Sequence, residues 1–185
     1  DLVDLNEKVT RHLLENSLSY DHYHADLLPH VKMKWSADQA AIIHSIWLFD
    51  QNNDTNLSSE LSEKWINYMD INGTHRPTGL FITEVLGTRK FSDHPRGCAL
   101  SYLVHYMGGF APEKAKDQWE RYKKHMLIRV MGRTGFREYL EDYDGSWTPD
   151  SGPIIAGVGI AATGLGLNAA STMGDRKTYR MLEKS

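Results

Sequence analysis

The feature that most constrains this sequence is an alternation of apolar and charged helical segments that recurs three times along the chain. In ADQAAIIHSIWLFDQ, the residues Ile42, Ile43, Ile46, Trp47 and Phe49 make most of the helical surface apolar. It is followed by LSSELSEKWINYMDI, which keeps Leu57, Leu61, Trp65 and Tyr68 on one side and charge on the other. RGCALSYLVHYM, closed by Gly108 and Gly109, is followed by PEKAKDQWERYKKHMLIRVM, which Pro112 opens. The Gly/Ala-rich DSGPIIAGVGIAATGLGLNAAS, residues 150–171, is followed by GDRKTYRMLEK. A helix that is apolar all round belongs inside, and one with a wet face belongs outside it. Three such pairs predict an all-α fold of stacked αα-hairpins forming part of an (α/α) toroid or barrel. Leu2, Leu5, Val9, Leu13 and Leu14 add an amphipathic N-terminal helix, for six to seven helices in all. A short β-hairpin near residues 78–90 fits the run LFITEVL among glycines and prolines.

At 185 residues the chain reads as a single domain, residues 1–185. Three hairpins make half of a six-hairpin ring, and the first residue is Asp1. The expectation is therefore a part of a longer parent chain, with two copies completing each other as a homo-oligomer, or an open arc, as the alternatives.

Composition removes several function classes. With 21 basic and 24 acidic residues and a pI near 6.3, the chain as a whole has no charge excess suited to nucleic acid or an anionic membrane. Cys98 is the only cysteine, which excludes an internal disulfide and a cysteine-based zinc site.

The glycine-rich segment invites two sharper readings. Gly157-Val158-Gly159-Ile160-Ala161-Ala162 has the G-x-G-x-x-A form of a dinucleotide fingerprint, but only 16residues follow Ala169, too few to complete a βαβ unit. The uncharged stretch Gly152–Thr172 is long enough for a bilayer, yet its glycines, Thr163, Asn168 and Ser171 make a weak hydrophobic sum, and no membrane span is expected. The reading adopted is a buried helix that starts at Pro153 with Ser151 as its cap, with Ala156, Gly159, Thr163, Gly166 and Ala170 as a stripe of small residues.

Other motifs have ordinary explanations. Asp50, Asn52, Asp54 and Asn56 have EF-hand spacing, but Thr55 and Leu61 stand where Gly and Glu are required. A solvated interhelical loop is the better reading. His22 and His24 lack a specified third ligand, so a hydrogen-bonded pair is the default and no metal is expected. Cys98 beside Arg96 fits a buried small residue better than a nucleophile.

The distributed constellation ahead of the apolar helices is more informative. Trp35-Ser36-Ala37-Asp38 precedes the first, and Asp93-His94-Pro95-Arg96 the second. Arg137-Glu138-Tyr139 with Asp142, Asp144, Trp147 and Asp150 precedes the third. In parallel register these segments converge on one end of the inner helices and gather carboxylates, an arginine and aromatic rings round a cavity. Singly, Asp38 and Asp150 would be explained as carboxylates serving helix N-termini.

On these residues, over roughly 33–176, the chain resembles uncharacterised bacterial α/α-toroid proteins near the linalool dehydratase/isomerase-like group. The most specific blocks are Pro-Arg-Gly-Cys-Ala-Leu-Ser at 95–101 and Asp-Ser-Gly-Pro at 150–153. The resemblance implies an (α/α) barrel in a bacterial protein, exported or membrane-attached, and carries no activity with it. By position, Trp35 and Asp38 match an aromatic-x-x-Asp block, Arg96 the Pro-Arg-Gly block, Glu138 and Tyr139 an Arg-Glu-Tyr block, and Asp150 and Ser151 the Asp-Ser-Gly-Pro block. Leu140 stands where relatives tend to have Pro, and Thr148-Pro149 where a second acid often precedes Asp-Ser-Gly-Pro. A carboxylate pair would then be Asp38 or Glu138 with Asp150.

The expectation is a hydrolase or lyase using carboxylate acid/base chemistry on a glycan or small alcohol, with no cofactor. Asp38, Glu138 and Asp150 are the catalytic candidates. Trp35, Arg96, Tyr102, Tyr139, Trp147 and Ser151 are the substrate-binding ones. The alternative is a non-catalytic ligand-binding or scaffold module. In both, the partner is a small molecule or carbohydrate and not nucleic acid.

Overall fold

The computed structural model describes residues 1–27, 31–143 and 145–184. His30, in the irregular crossing, and Asp144, one of the acids ahead of the third apolar helix, lie outside the described residues.

Among the described residues there are seven helices, and most fall where periodicity puts them. α1 is Leu2–Leu18, α2 Ser36–Asn53, α3 Ser58–Asn72, α4 Gly97–Phe110, α5 Pro112–Met126, α6 Ile160–Thr172 and α7 Arg176–Leu182. Helix α4 packs against α2, α5 and α6, while α2 pairs with α3 and α6 with α7. The links between paired helices are short, so the partners run antiparallel. The core lies between the apolar helices and the inner faces of α3 and α5. Ile43, Ile46, Leu61, Trp65, Leu100, Leu103, Trp119 and Tyr122 are fully buried there.

The fold is not all-α. Four small antiparallel sheets accompany the helices, making this a mixed α and β structure. β1 (Lys34–Trp35), β4 (Glu84–Gly87) and β5 (Lys90–Phe91) form a three-stranded sheet in the order β1-β4-β5. β2 (Thr74–His75) pairs with β3 (Leu80–Phe81), β6 (Leu127–Val130) with β7 (Arg133–Phe136), and β8 (Ile154–Ile155) with β9 (Val158–Gly159). An isolated bridge, Arg137 to Val158, joins the last two hairpins.

The physical reason for the strands lies at the helix starts. The N-caps of α2, α4 and α6 are Trp35, Arg96 and Gly159, and none supplies a side-chain cap. A helix start leaves backbone amides that must find acceptors. They find them in extended chain: Ser36 N donates to Thr83 O at 2.9 Å, Gly97 N to Glu138 O at 2.8 Å, and Ile160 N to Pro153 O at 3.2 Å. Thr83 lies just before β4, Glu138 just after β7 and Pro153 just before β8, so each carbonyl comes from chain that flanks a short strand.

Two sequence expectations change accordingly. The segment after Asp150 is a hairpin before it is a helix. Ile154, Ile155 and Val158 form β8 and β9 round a two-residue turn at Ala156 and Gly157, whose φ values of 49° and 83° are those of a type I′ connection. Helix α6 therefore starts at Ile160, and Pro153 and Ser151 lie outside it. Likewise α5 stops at Met126, and Leu127–Val130 turns back at Met131 and Gly132, with φ of 51° and 84°.

Close approach explains part of the small-residue pattern. A Cβ on Gly97 would lie 2.0 Å from the Arg137 carbonyl oxygen and 3.0 Å from Ala162 Cβ. One on Gly166 would lie 2.8 Å from Phe136 Cδ2. Ser101 Oγ donates to the Ala162 carbonyl at 2.9 Å and ties α4 to α6. No helix among the described residues is long and apolar enough to cross a membrane.

Candidate functional site

The N-terminal ends of α2 and α4 border a cavity of about 290 Å³. Its lining is Trp35, Ala37 and Asp38 from the start of α2, and Cys98, Ala99 and Tyr102 from the first turns of α4. Leu165 of α6 and Asp150 from the loop before β8 complete it. A volume of this size suits a small molecule or one to two sugar rings. Four of the candidate residues from sequence thus meet in one place: Trp35, Asp38, Tyr102 and Asp150.

Arg96 organises the wall behind them. The residue is only 3 % exposed. Its Nε donates to Glu138 Oε1 at 3.0 Å, Nη1 to Glu84 Oε1 at 3.2 Å, and Nη2 to Thr148 Oγ1 at 2.7 Å. Asp150 Oδ2 lies 3.7 Å from Nη1. The guanidinium carbon sits 5.2 Å from the Trp35 ring centroid and 5.7 Å from that of Tyr139, within cation–π range of both. A planar cation with several donors can hold this many partners at once, which an ammonium could not. Arg96 is absent from the cavity lining, so its place in the structure is to position Trp35, Asp150 and the Thr148 loop.

Glu138 is fully buried and does not line the cavity. Oε1 accepts from Arg96 and from Cys98 Sγ at 3.1 Å, and Oε2 accepts from Cys98 N at 3.0 Å. It is the anion at the N-terminus of α4, where free amides and the helix dipole favour one. Burial pushes its pKa up, opposed by the bonds from Cys98 and by Arg96. Neither Asp38 nor Asp150 caps a helix through its side chain.

Asp38 and Asp150 differ in surroundings. Asp38 stands in the first turn of α2, and partial burial, together with the charge of Asp150, raises its pKa. Asp150 is 59 % exposed and faces the guanidinium of Arg96. One acid is thus biased towards holding a proton, and its neighbour has a cation beside it. Tyr102 adds a hydroxyl. It is hydrogen-bonded to the Tyr106 hydroxyl at 3.2 Å, one helical turn on, and that bond together with burial pushes its pKa up to about 12, so the phenol stays protonated.

The remaining candidates lie outside the cavity. Tyr139 stacks on Arg96 from behind and donates its hydroxyl to Ser146 O at 2.8 Å. Trp147 is 66 % exposed and Asp142 is exposed. Ser151 is fully buried: its Oγ accepts from Thr148 N at 2.9 Å, which shapes the turn that carries Asp150. Cys98 lines the cavity, but burial and the Glu138 carboxylate push its thiol up to about 12 and keep it protonated. Glu84, Thr148 and Tyr106 were missed. Only Tyr106 had a local signal, its i,i+4 relation to Tyr102.

The other motifs resolve simply. His24 Nε2 accepts from Trp65 Nε1 at 3.2 Å, and the His22 ring accepts from His24 N at 3.1 Å. Among the described residues no group of three or more His, Cys, Asp or Glu side chains could hold a metal ion. Asp50 accepts from Thr55 Oγ1, Leu57 N and Ser58 N, so it ties the α2–α3 loop and opens α3.

The sequence matches no protein-family model, and no curated protein matches it.

Proposed function

We propose that this chain is an acid/base enzyme, a hydrolase or lyase acting on a glycan or small alcohol bound between Trp35 and Tyr102. The observation that carries the reading is the unequal pair of carboxylates: Asp38, biased towards the protonated form, and Asp150, beside Arg96, in one cavity. A carboxyl biased towards holding its proton suits the role of general acid. In hydrolysis Asp150 takes a proton from the attacking water, the carbon–oxygen bond breaks, and the departing oxygen receives the proton of Asp38. Tyr102 donates a hydrogen bond to a ligand oxygen, and Trp35 offers an aromatic face to a sugar ring or an apolar carbon. Glu138, with both oxygens engaged, positions Arg96 and takes no part in proton transfer.

The test is turnover of a panel of glycans and small alcohols by the native chain and by Asp38→Asn and Asp150→Asn, with circular dichroism as the fold control. Both variants should lose turnover and keep the fold, and turnover that survives in either refutes the pair. The exposure of Asp150 favours a second reading, a ligand-binding module without catalysis. That module would bind ligand equally well in both variants and convert it in none.

A further inference from the structure

Five exposed cations gather on one part of the surface without a carboxylate partner among the described residues: Arg133 on the β6–β7 hairpin and Arg176, Lys177, Arg180 and Lys184 on and just after α7. Within 176–184 the only acid is Glu183. Four of the cations line one groove, and Arg133 joins the two elements by donating to the Lys184 carbonyl. The near balance of charge over the whole chain hides this asymmetry.

The hairpin tip supplies an independent observation. Met131 is 98 % exposed between Arg129 and Arg133. Its φ of 51° is left-handed, and with Gly132 it forms a turn for which Asn-Gly or Asp-Gly is the favoured pair. A flexible apolar side chain thus stands, against local preference, at the exposed tip of a hairpin tied to the basic groove.

We propose that this face docks onto an anionic lipid surface, with the five cations attracted to headgroup charge and Met131 entering the boundary with the acyl chains. Basic residues beside an exposed apolar one are what such attachment requires. Nucleic acid fits less well, because the rest of the chain carries the negative excess and a methionine tip reads neither base nor phosphate.

The experiment is co-sedimentation of the whole chain with vesicles of phosphatidylcholine alone, or of equal parts phosphatidylcholine and phosphatidylglycerol, at low and high salt. Binding is expected to the anionic vesicles only and to fall at least tenfold with added salt. Arg176→Glu/Arg180→Glu should lose it by a similar factor. Met131→Asn should weaken it several-fold while leaving the melting temperature equal or higher, since Asn suits the turn better. Equal binding to neutral vesicles, or anionic binding unchanged in the charge-reversed variant at unchanged melting temperature, overturns the proposal. So does tight binding of a DNA duplex with no response to Met131→Asn, which would make the patch a nucleic-acid surface. None of these readouts depends on catalysis by Asp38 and Asp150.

Discussion

Replacing Arg96 by Met should be among the most damaging single changes at the site, and the structure says by how much. The substitution keeps a linear side chain and removes the guanidinium. Glu138, fully buried, then loses its ion pair at 3.0 Å and stays beside an apolar neighbour. Breaking a buried pair by removing one partner costs about 3–5 kcal/mol, a large share of a domain's stability of about 5–15 kcal/mol. Thr148 and Glu84 lose their bonds to the same group and add to the loss. Removing the stranded charge as well should recover most of it, so Arg96→Met/Glu138→Gln should be more stable than Arg96→Met alone. Urea unfolding of the two single variants and the double one gives the coupling energy directly. The pH dependence has a definite sign. Glu138 has its folded pKa raised by burial, and without Arg96 it is raised further. The unfolded chain releases the proton near the ordinary value and the folded variant only at higher pH. The penalty therefore grows as pH rises from about the ordinary carboxylate value upward. An Arg96→Met penalty below about 1 kcal/mol, or one equal with and without Glu138→Gln, refutes the claim that this pair holds the wall of the cavity together.

Two further outcomes follow from burial. His24 is fully buried and its pKa is lowered from 6.5 to about 3, chiefly by desolvation. Between those values the unfolded state binds a proton that the native state refuses, so stability falls as pH drops through that window, by up to about 1.4 kcal/mol per pH unit. A urea midpoint that falls less steeply in His24→Asn than in the native chain confirms it, and identical slopes contradict it. Cys98, with its thiol held near 12, should resist alkylation by iodoacetamide at pH 8 in the native state and react fully in urea. Rapid native labelling would show a thiolate.

The pairing of apolar with charged helices was legible because period and polarity are local properties, and α2 to α4 lie where the pattern puts them, while α5 ends short of it at Met126. The N-terminal helix was legible as a helix but not in its burial, for Leu2, Leu5 and Val9 are exposed while Leu13 and Leu14 pack on the core. The hairpin expected near residues 78–90 is present as β4 and β5, but the other strands were missed for a different reason. At two to four residues they are too short to show alternation. Ile154, Ile155 and Val158 about Ala156-Gly157 did carry a hairpin signal, which the helical reading of the glycine-rich segment overrode. At the site, Trp35, Asp38, Tyr102 and Asp150 were legible as polar and aromatic groups ahead of, or within the first turns of, apolar helices. The demotion of Glu138 from acid to counterion was not. It depends on Arg96 and Cys98, about forty residues earlier, closing over both of its oxygens.

The account rests on Asp38 and Asp150 acting as an unequal pair, and the carboxyl titration of Asp38 by 13C NMR tests it most directly. Asp38 should titrate above the ordinary 3.8, and in Asp150→Asn its pKa should move back down, because the neighbouring negative charge that helps to raise it is gone. An Asp38 that titrates at its ordinary value in the native chain, or that ignores the loss of Asp150, contradicts the account.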